Sequence, residues 1–274
     1  EIVQNTGSTF TTATNYAVTI SDATISAANV KLINADNGTG TIDISAATTI
    51  ISSTIADVLE IVQNTGSVFT TATNYAVTLS DTSASAANLN TINADTTGLV
   101  TATNVTTISS STFADVNTLI SNRGISGNAI NIDNDYNVTL SDVSISAANV
   151  KVVNNDTSGT INISAATTII SSTIADVLEI VQNTGSVFTT ATNYAVTISD
   201  ATISAANVKL INADNGTGTI DISAATTIIS STIADVLEIV QNTGSVFTTA
   251  TNYAVTLSDA TISAANVKLI NADN

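Results

Sequence analysis

The sequence predicts a repeat solenoid of parallel β-strands with one short helix in each turn of about 29–30 residues. Three observations lead to this prediction. The segment EIVQNTGSTFTTATNYAVTISD at 1–22 returns nearly unchanged at 60–81, which sets a period of 59 residues. Each period consists of two related halves. Each half contains short alternating segments, a Ser/Thr-rich corner, a longer apolar segment and an Asn/Gly turn.

The short alternating segments are expected to be strands. The segments TIDIS (41–45), TTIIS (48–52), VFTTAT (68–73) and YAVTL (75–79) alternate inward and outward residues and are rich in β-branched side chains. This pattern is typical of half-buried strands. Strands of adjacent turns would then pair in parallel at a spacing of about 4.8 Å.

The longer segment of each half is expected to be a short helix. In STFADVNTLISNRG (111–124), the residues Phe113, Val116 and Leu119 follow helical spacing. A Thr followed three residues later by Asp indicates a helix-start capping pair. Such pairs are Thr54 with Asp57, Thr112 with Asp115, Thr173 with Asp176, and Thr232 with Asp235. The alternative is an all-β right-handed β-helix, because short apolar runs do not separate a helix from a third strand.

Aromatic residues recur at fixed positions of the repeat and predict two structural columns. We expect these columns to fill corners or the core, and the alternative is a platform for stacking carbohydrate. The first column holds Tyr16, Tyr75, Tyr136, Tyr194 and Tyr253, and the second holds Phe10, Phe69, Phe188 and Phe247.

Residues 1–274 are predicted to form a single continuous solenoid of about nine turns, because the longer segment occurs nine times. Neither end of the sequence carries an atypical polar turn of the kind that caps solenoids. We therefore expect a fragment of a longer array, or a chain that stacks end to end with copies of itself.

Composition argues against several classes of function. Five Lys and Arg against 22 Asp and Glu give a net charge of −17, so there is no basic patch to bind nucleic acid. No apolar run reaches the roughly 18–20 residues of a membrane span. The sequence has no His and no Cys, and nearly every polar residue has a copy one period away. A catalytic site needs one unrepeated constellation, so we expect no enzyme.

Few residues are candidates for binding a metal or a cofactor. No cofactor is expected. Asp133 and Asp135 form a small oxygen-rich cluster in the longest loop and are candidate calcium ligands. Asp residues at strand exits, such as Asp81, alternate with Ser of the intervening turn, such as Ser53, and we expect these acids to be structural. Lys31 and its repeat copies are expected to lie on a solvated face.

The block SAANLNTINADTTGLVTATNVTTISSSTFADVNTL at 85–119 resembles the tandem repeats of very large secreted bacterial proteins, notably those of cyanobacteria. Those repeats carry AADLNTL-, TTGTV- and VTTLTG-like phrases. The resemblance covers essentially the whole chain and implies an extracellular or cell-surface role in a filament, a sheath or an adhesin stalk. It transfers no catalytic residue.

The main functional expectation is thus an extracellular structural rod that self-associates into a filament or layer. One alternative is a ligand-binding solenoid, either an adhesin or an ice-binding face, because outward threonines follow one another on stacked strands. The other is a polysaccharide-processing β-helix, which would require acid and base residues clustered on one face.

Overall fold

The computed structural model describes residues 10–64, 68–124 and 129–274. The chain divides into two compact units, Glu1–Tyr136 and Asn137–Asn274. In both units short parallel strands alternate with short helices, so the predicted solenoid with one helix in each turn is confirmed and the all-β alternative is wrong. That all 274 residues form one continuous solenoid stays a prediction.

Two kinds of coil alternate and differ in how their helices start. The helix of an A coil starts with Ser-Ala-Ala-Asn, and the helix of a B coil starts with Thr-x-Ala-Asp. In the described part of the chain, odd-numbered helices belong to A coils and even-numbered helices to B coils. They are α1 (Ala27–Asp36), α2 (Ile55–Val62), α3 (Ala86–Asp95), α4 (Phe113–Ser121), α5 (Ala147–Asn154), α6 (Ile174–Val181), α7 (Ala205–Asp214), α8 (Ile233–Val240) and α9 (Ala264–Asp273).

The first unit contains ten short strands in its described part. They pair in parallel in the orders β1–β3–β5 and β2–β4–β6–β8–β10, and β7 pairs with β9. Their bounds are β1 (Val18–Thr19), β2 (Thr24–Ile25), β3 (Ile42–Ile44), β4 (Thr49–Ser53), β5 (Phe69–Thr71), β6 (Ala76–Leu79), β7 (Ser83–Ser85), β8 (Val100–Ala102), β9 (Thr107–Ser111) and β10 (Ile130–Ile132).

The second unit repeats this arrangement with eleven strands. Its orders are β11–β13–β15, β12–β14–β16–β18–β20 and β17–β19–β21, again parallel. The bounds are β11 (Asn137–Leu140), β12 (Ser144–Ile145), β13 (Ile161–Asn162), β14 (Thr168–Ser172), β15 (Phe188–Thr189), β16 (Ala195–Ile198), β17 (Thr202–Ile203), β18 (Ile220–Asp221), β19 (Thr227–Ser231), β20 (Phe247–Thr248) and β21 (Ala254–Leu257).

The strand register slips by one strand position in every 59-residue period. A complete A coil has three strand positions and a B coil has two, so a ladder cannot keep the same position through both. In the first unit Val18 pairs with Ile42, and Ile42 pairs with Phe69. The ladder of Phe69 therefore leads back to Val18 and not to Phe10, so the predicted phenylalanine column does not coincide with a β-ladder.

The core lies between the strands and the helices and consists of aliphatic side chains. In β3, Ile42 and Ile44 point inward and are at most 2% exposed, while Asp43 between them is half-buried. Close stacking requires glycine at one connection, because a Cβ at Gly40 would lie 2.0 Å from the carbonyl oxygen of Tyr16. Among the described helices the longest have ten residues, and none combines the length and apolarity needed to cross a membrane.

A β-bulge shapes the strand before the helix in three of the B coils. In β4 the register shifts between Ile50 and Ser53, and Ser52 between them has a φ of 42°. Ser171 and Ser230 adopt the same left-handed conformation in β14 and β19. Bulges redirect side chains, and this one turns Ser53 into the interior, where it is 1% exposed.

Val116→Asp is expected to destabilise the chain by several kcal/mol, because the Val116 side chain is fully buried in α4 and an unpaired carboxylate would lie in the core. Urea unfolding followed by circular dichroism measures the change. Ala114→Asp is the matched control, because Ala114 is exposed on the same helix. Equal losses in the two variants would contradict the inward orientation of Val116.

Candidate functional site: the contacts between stacked coils

The helix starts use the predicted capping residues. In each B coil the Thr hydroxyl accepts a hydrogen bond from the backbone N–H of the Asp three residues later and donates one to its carboxylate. The hydroxyl–carboxylate distances are 2.8 Å for Thr54 with Asp57, 2.8 Å for Thr112 with Asp115, 2.9 Å for Thr173 with Asp176, and 2.7 Å for Thr232 with Asp235. These bonds satisfy one of the four N–H groups that a helix start leaves open.

A second open N–H group of each A-coil helix is satisfied by the following B coil. The backbone N–H of Ala205, the first residue of α7, donates to the hydroxyl of Ser231 at 2.8 Å. That hydroxyl donates in turn to the carbonyl oxygen of Ile229. The bulged serines thus cap the helix of the preceding coil. Equivalent bonds join Ala27 to Ser53, Ala86 to Ser111 and Ala147 to Ser172, at 2.8–2.9 Å.

B-coil helices are capped in the same way by aspartates. The carboxylate of Asp81 in the next A coil accepts the backbone N–H of Ile55 at 2.7 Å. Asp200 and Asp259 do the same for Ile174 and Ile233 at 2.7 and 2.6 Å. The alternation of Ser and Asp that the sequence shows at strand exits is therefore an alternation of two acceptors for helix N-termini, where a negative charge is favourable.

Shallow grooves repeat next to these capped helix starts. Three of them, of about 530, 350 and 280 Å³, contain Asp22, Asp81 and Asp200 respectively. Each groove also exposes hydroxyl groups and one Asn, such as Asn88 beside Asp81. Because these groups recur from coil to coil, the grooves form a series of similar small sites.

Lysines of A coils bind carboxylates of the following B coil. The Lys151 ammonium lies 2.8 Å from Asp176 and 3.3 Å from Glu179 in α6. Lys31 and Lys209 have the same two partners in their own next coils, at 3.0 and 3.6 Å and at 3.1 and 3.5 Å. The lysine side chains are 43–49% exposed, so these ion pairs lie at the surface. Sequence reasoning placed these lysines on a solvated face and missed their partners.

The charges in these clusters favour ion pairs and not a reactive amine. The hydrogen bond to Asp176 raises the pKa of Lys151, and the two carboxylates add to that effect. The hydrogen bond from Lys151 in turn lowers the pKa of Asp176. A lysine acting as a nucleophile or base needs a lowered pKa, so this arrangement stabilises the charged amine.

Tyrosines connect the core to the turn after each A-coil helix. The hydroxyl of Tyr194 donates to the carboxylate of Asp214 at 2.7 Å, and the same bond joins Tyr75 to Asp95 at 2.5 Å. Burial raises the pKa of both tyrosines, and the neighbouring carboxylates raise it further. Tyr16 donates to Asp36 and Tyr253 donates to Asp273, at 2.5 and 2.8 Å. A constant separation of 20 residues between Tyr and Asp was the sequence signal for this bond.

The aromatic residues differ in how deeply they are buried. Tyr75, Tyr136, Tyr194 and Tyr253 are at most 2% exposed, and Tyr16 is half-buried. Phe69 is 1% exposed, Phe188 and Phe247 are half-buried, and Phe10 is 39% exposed. Carbohydrate stacking needs exposed ring faces, which the four buried tyrosines do not offer.

An arginine organises the loop that holds the two candidate calcium ligands. Arg123 lies over the Tyr136 ring, 5.8 Å from its centre, and donates to the carbonyl oxygen of Ile132 at 3.2 Å and to Asn134 Oδ1. Asp133 accepts the backbone N–H of Asn134 at 2.8 Å, and Asp135 is exposed. In the described residues, no three His, Cys, Asp or Glu side chains come together as a metal-binding group.

Comparison with protein-family models, with curated proteins and with solved structures finds no match to this chain. The functional argument therefore rests on the contacts described above.

Ser231→Ala is expected to cost about 1–3 kcal/mol, because it leaves the buried N–H of Ala205 without an acceptor. Urea unfolding measures the cost. Hydrogen exchange of the first residues of α7 shows whether it arises at that helix start. Ser223→Ala is the control at an exposed position of the same coil. Unchanged exchange at α7 would contradict a capping role for Ser231.

Acid is expected to weaken the contacts between coils. Because the pKa of Asp176 is lower in the folded chain, its stabilisation is complete above the unfolded value of about 3.9 and is lost as the pH falls through the folded value. The raised pKa of Lys151 acts at the other limit, and its contribution is lost as the pH rises through its folded value, above about 10.4.

Urea midpoints measured from pH 2 to pH 7 test this expectation. Lys151→Ala should reduce the fall of the midpoint in acid, because Asp176 then loses the bond that contributes most to its lowered pKa. Lys268→Ala is the control, since no carboxylate within ion-pair distance is found for Lys268 among the described residues. An identical acid dependence of the two variants would sink this account of the ion pairs.

Proposed function

We propose that the chain is an extracellular structural rod, a repeat segment of a bacterial surface filament, sheath or giant adhesin stalk. The observation that supports this most is the repetition of one set of contacts from coil to coil. Helix caps, ion pairs and Tyr–Asp bonds recur with nearly the same geometry. Such an array spreads stability over many equal interfaces, as a load-bearing element requires.

The proposal includes self-association and an extracellular location. The resemblance of 85–119 to repeats of very large secreted bacterial proteins supports the location. Coil faces that complement one another support stacking between molecules. A net charge of −17 opposes binding to nucleic acid.

We propose no catalysis. The carboxylates of the B-coil helices are held by Thr hydroxyls and by Lys, and those at the strand exits accept helix N–H groups. A polysaccharide-processing β-helix needs an acid and a base on one face with different pKa values. The recurring acids of this chain instead share recurring roles.

Electron microscopy of the purified chain tests the structural proposal. We expect particles joined into rods longer than one chain at micromolar concentration, because stacking at a coil face buries apolar side chains. Light scattering as a function of concentration gives the same information in solution. Single, separate particles at all concentrations tested would contradict self-association.

A second candidate, an ice-binding or ligand-binding face, is favoured by the strand register. Thr24 pairs with Thr49, and Thr78 pairs with Thr101, so outward threonines are neighbours on adjacent strands. Asp221 and Ala254 interrupt the equivalent rows in the second unit.

Thermal hysteresis and ice shaping measure ice binding directly. Replacing Thr78 and Thr101 by Lys should abolish both effects if the threonine row binds ice, because the charged side chains would disrupt its regular surface. Absence of hysteresis in the unmodified chain removes this candidate.

A further inference from the structure

The last A coil, residues 246–274, has a face of side chains that other A coils bury. Ile262 is 45% exposed and Val267 is 40% exposed, whereas the equivalent Ile203 and Val208 are 3% and 0% exposed. The difference arises because the B coil of residues 216–245 covers Ile203 and Val208.

The polar groups of this face also lack the partners that their equivalents have. Ala205 N–H is capped by Ser231, and Lys209 binds Asp235 and Glu238. Within the described residues, the equivalent N–H of Ala264 has no acceptor and the equivalent Lys268 has no carboxylate.

The backbone of this coil is incomplete in the same place. In the other A coils the segment before the helix forms a strand, such as β17, which pairs with β19 of the following B coil. The corresponding residues 261–262 form no strand. The missing partner strand, the missing hydroxyl and the missing carboxylates all belong to a B coil.

We propose that the face formed by Ile262, Ala264, Val267 and Lys268 is a docking site for a B coil of another repeat molecule, a strand–strand–helix segment with the chemistry of residues 216–245. This inference rests on the proposed self-association and names its partner. An A coil is a poor occupant, because it carries Asn207 and Leu210 where a B coil carries Asp235 and Glu238. Lys268 therefore selects between the two kinds of coil.

Hydrogen exchange of the full chain, with synthetic peptides as probes, tests the selection. A peptide of residues 216–245 should slow exchange of the amides at 264–270, because it caps Ala264 and covers Val267. The A-coil peptide of residues 246–274 is the length-matched control and should leave these amides unchanged. Equal protection by the two peptides would overturn the proposal.

Charge reversal tests the contribution of Lys268. A B-coil peptide carrying Asp235→Lys and Glu238→Lys should bind about fivefold more weakly, the magnitude typical of surface ion pairs. The Lys268→Glu chain should recover that loss and should bind the unmodified peptide more weakly. No recovery would rule out Lys268 as the selecting residue.

A free peptide must fold as it docks, so a second format places the coil in the same chain. Appending residues 216–245 after Asn274 should slow exchange at 264–270 at least tenfold relative to appending residues 246–274. No slowing in either format would refute the docking site. Long rods in electron micrographs without this selectivity would leave the proposed function standing and remove only this inference.

Discussion

The structure depends on hydrogen bonds that each helix start can complete only with the next coil. Helices of 8–10 residues are not stable alone in water. The Thr or Ser cap of each helix satisfies one N–H group from within its own coil. A second N–H group needs Ser231 or Asp200, or an equivalent, from the coil that follows. No coil is complete by itself, and a stack of coils is the smallest unit whose helix starts are satisfied.

This dependence explains why the period is 59 residues and not half of that. If every coil carried Asp at the strand exit, like charges would stack about 4.8 Å apart. Alternating Ser53 with Asp81 roughly doubles that separation, to near the Debye length at physiological salt. The lysines follow the same rule, because Lys209 meets Asp235 only when an A coil precedes a B coil.

Sequence reasoning predicted the helix-start pairs and the short strands because both are local patterns. Thr173 and Asp176 are three residues apart, and their bond does not depend on neighbouring coils. The Tyr194–Asp214 bond and the Lys151–Asp176 pair join residues 20 and 25 positions apart, so they depend on how the chain turns and stacks. The register slip was missed for a similar reason: identical repeats suggest identical ladders, whereas coils with three and two strand positions cannot keep the same pairing.

The acidic composition follows from the use of carboxylates as acceptors and not from a ligand site. Asp200 caps a helix, Asp214 accepts a tyrosine hydroxyl and Asp235 binds both a lysine and a threonine. Each of these roles leaves its negative charge on the chain, and five Lys and Arg do not balance it. Outward surfaces of two molecules therefore repel one another. The coil face around Lys268 combines a positive charge with exposed apolar side chains, so we expect molecules to associate through coil faces and not through their acidic flanks.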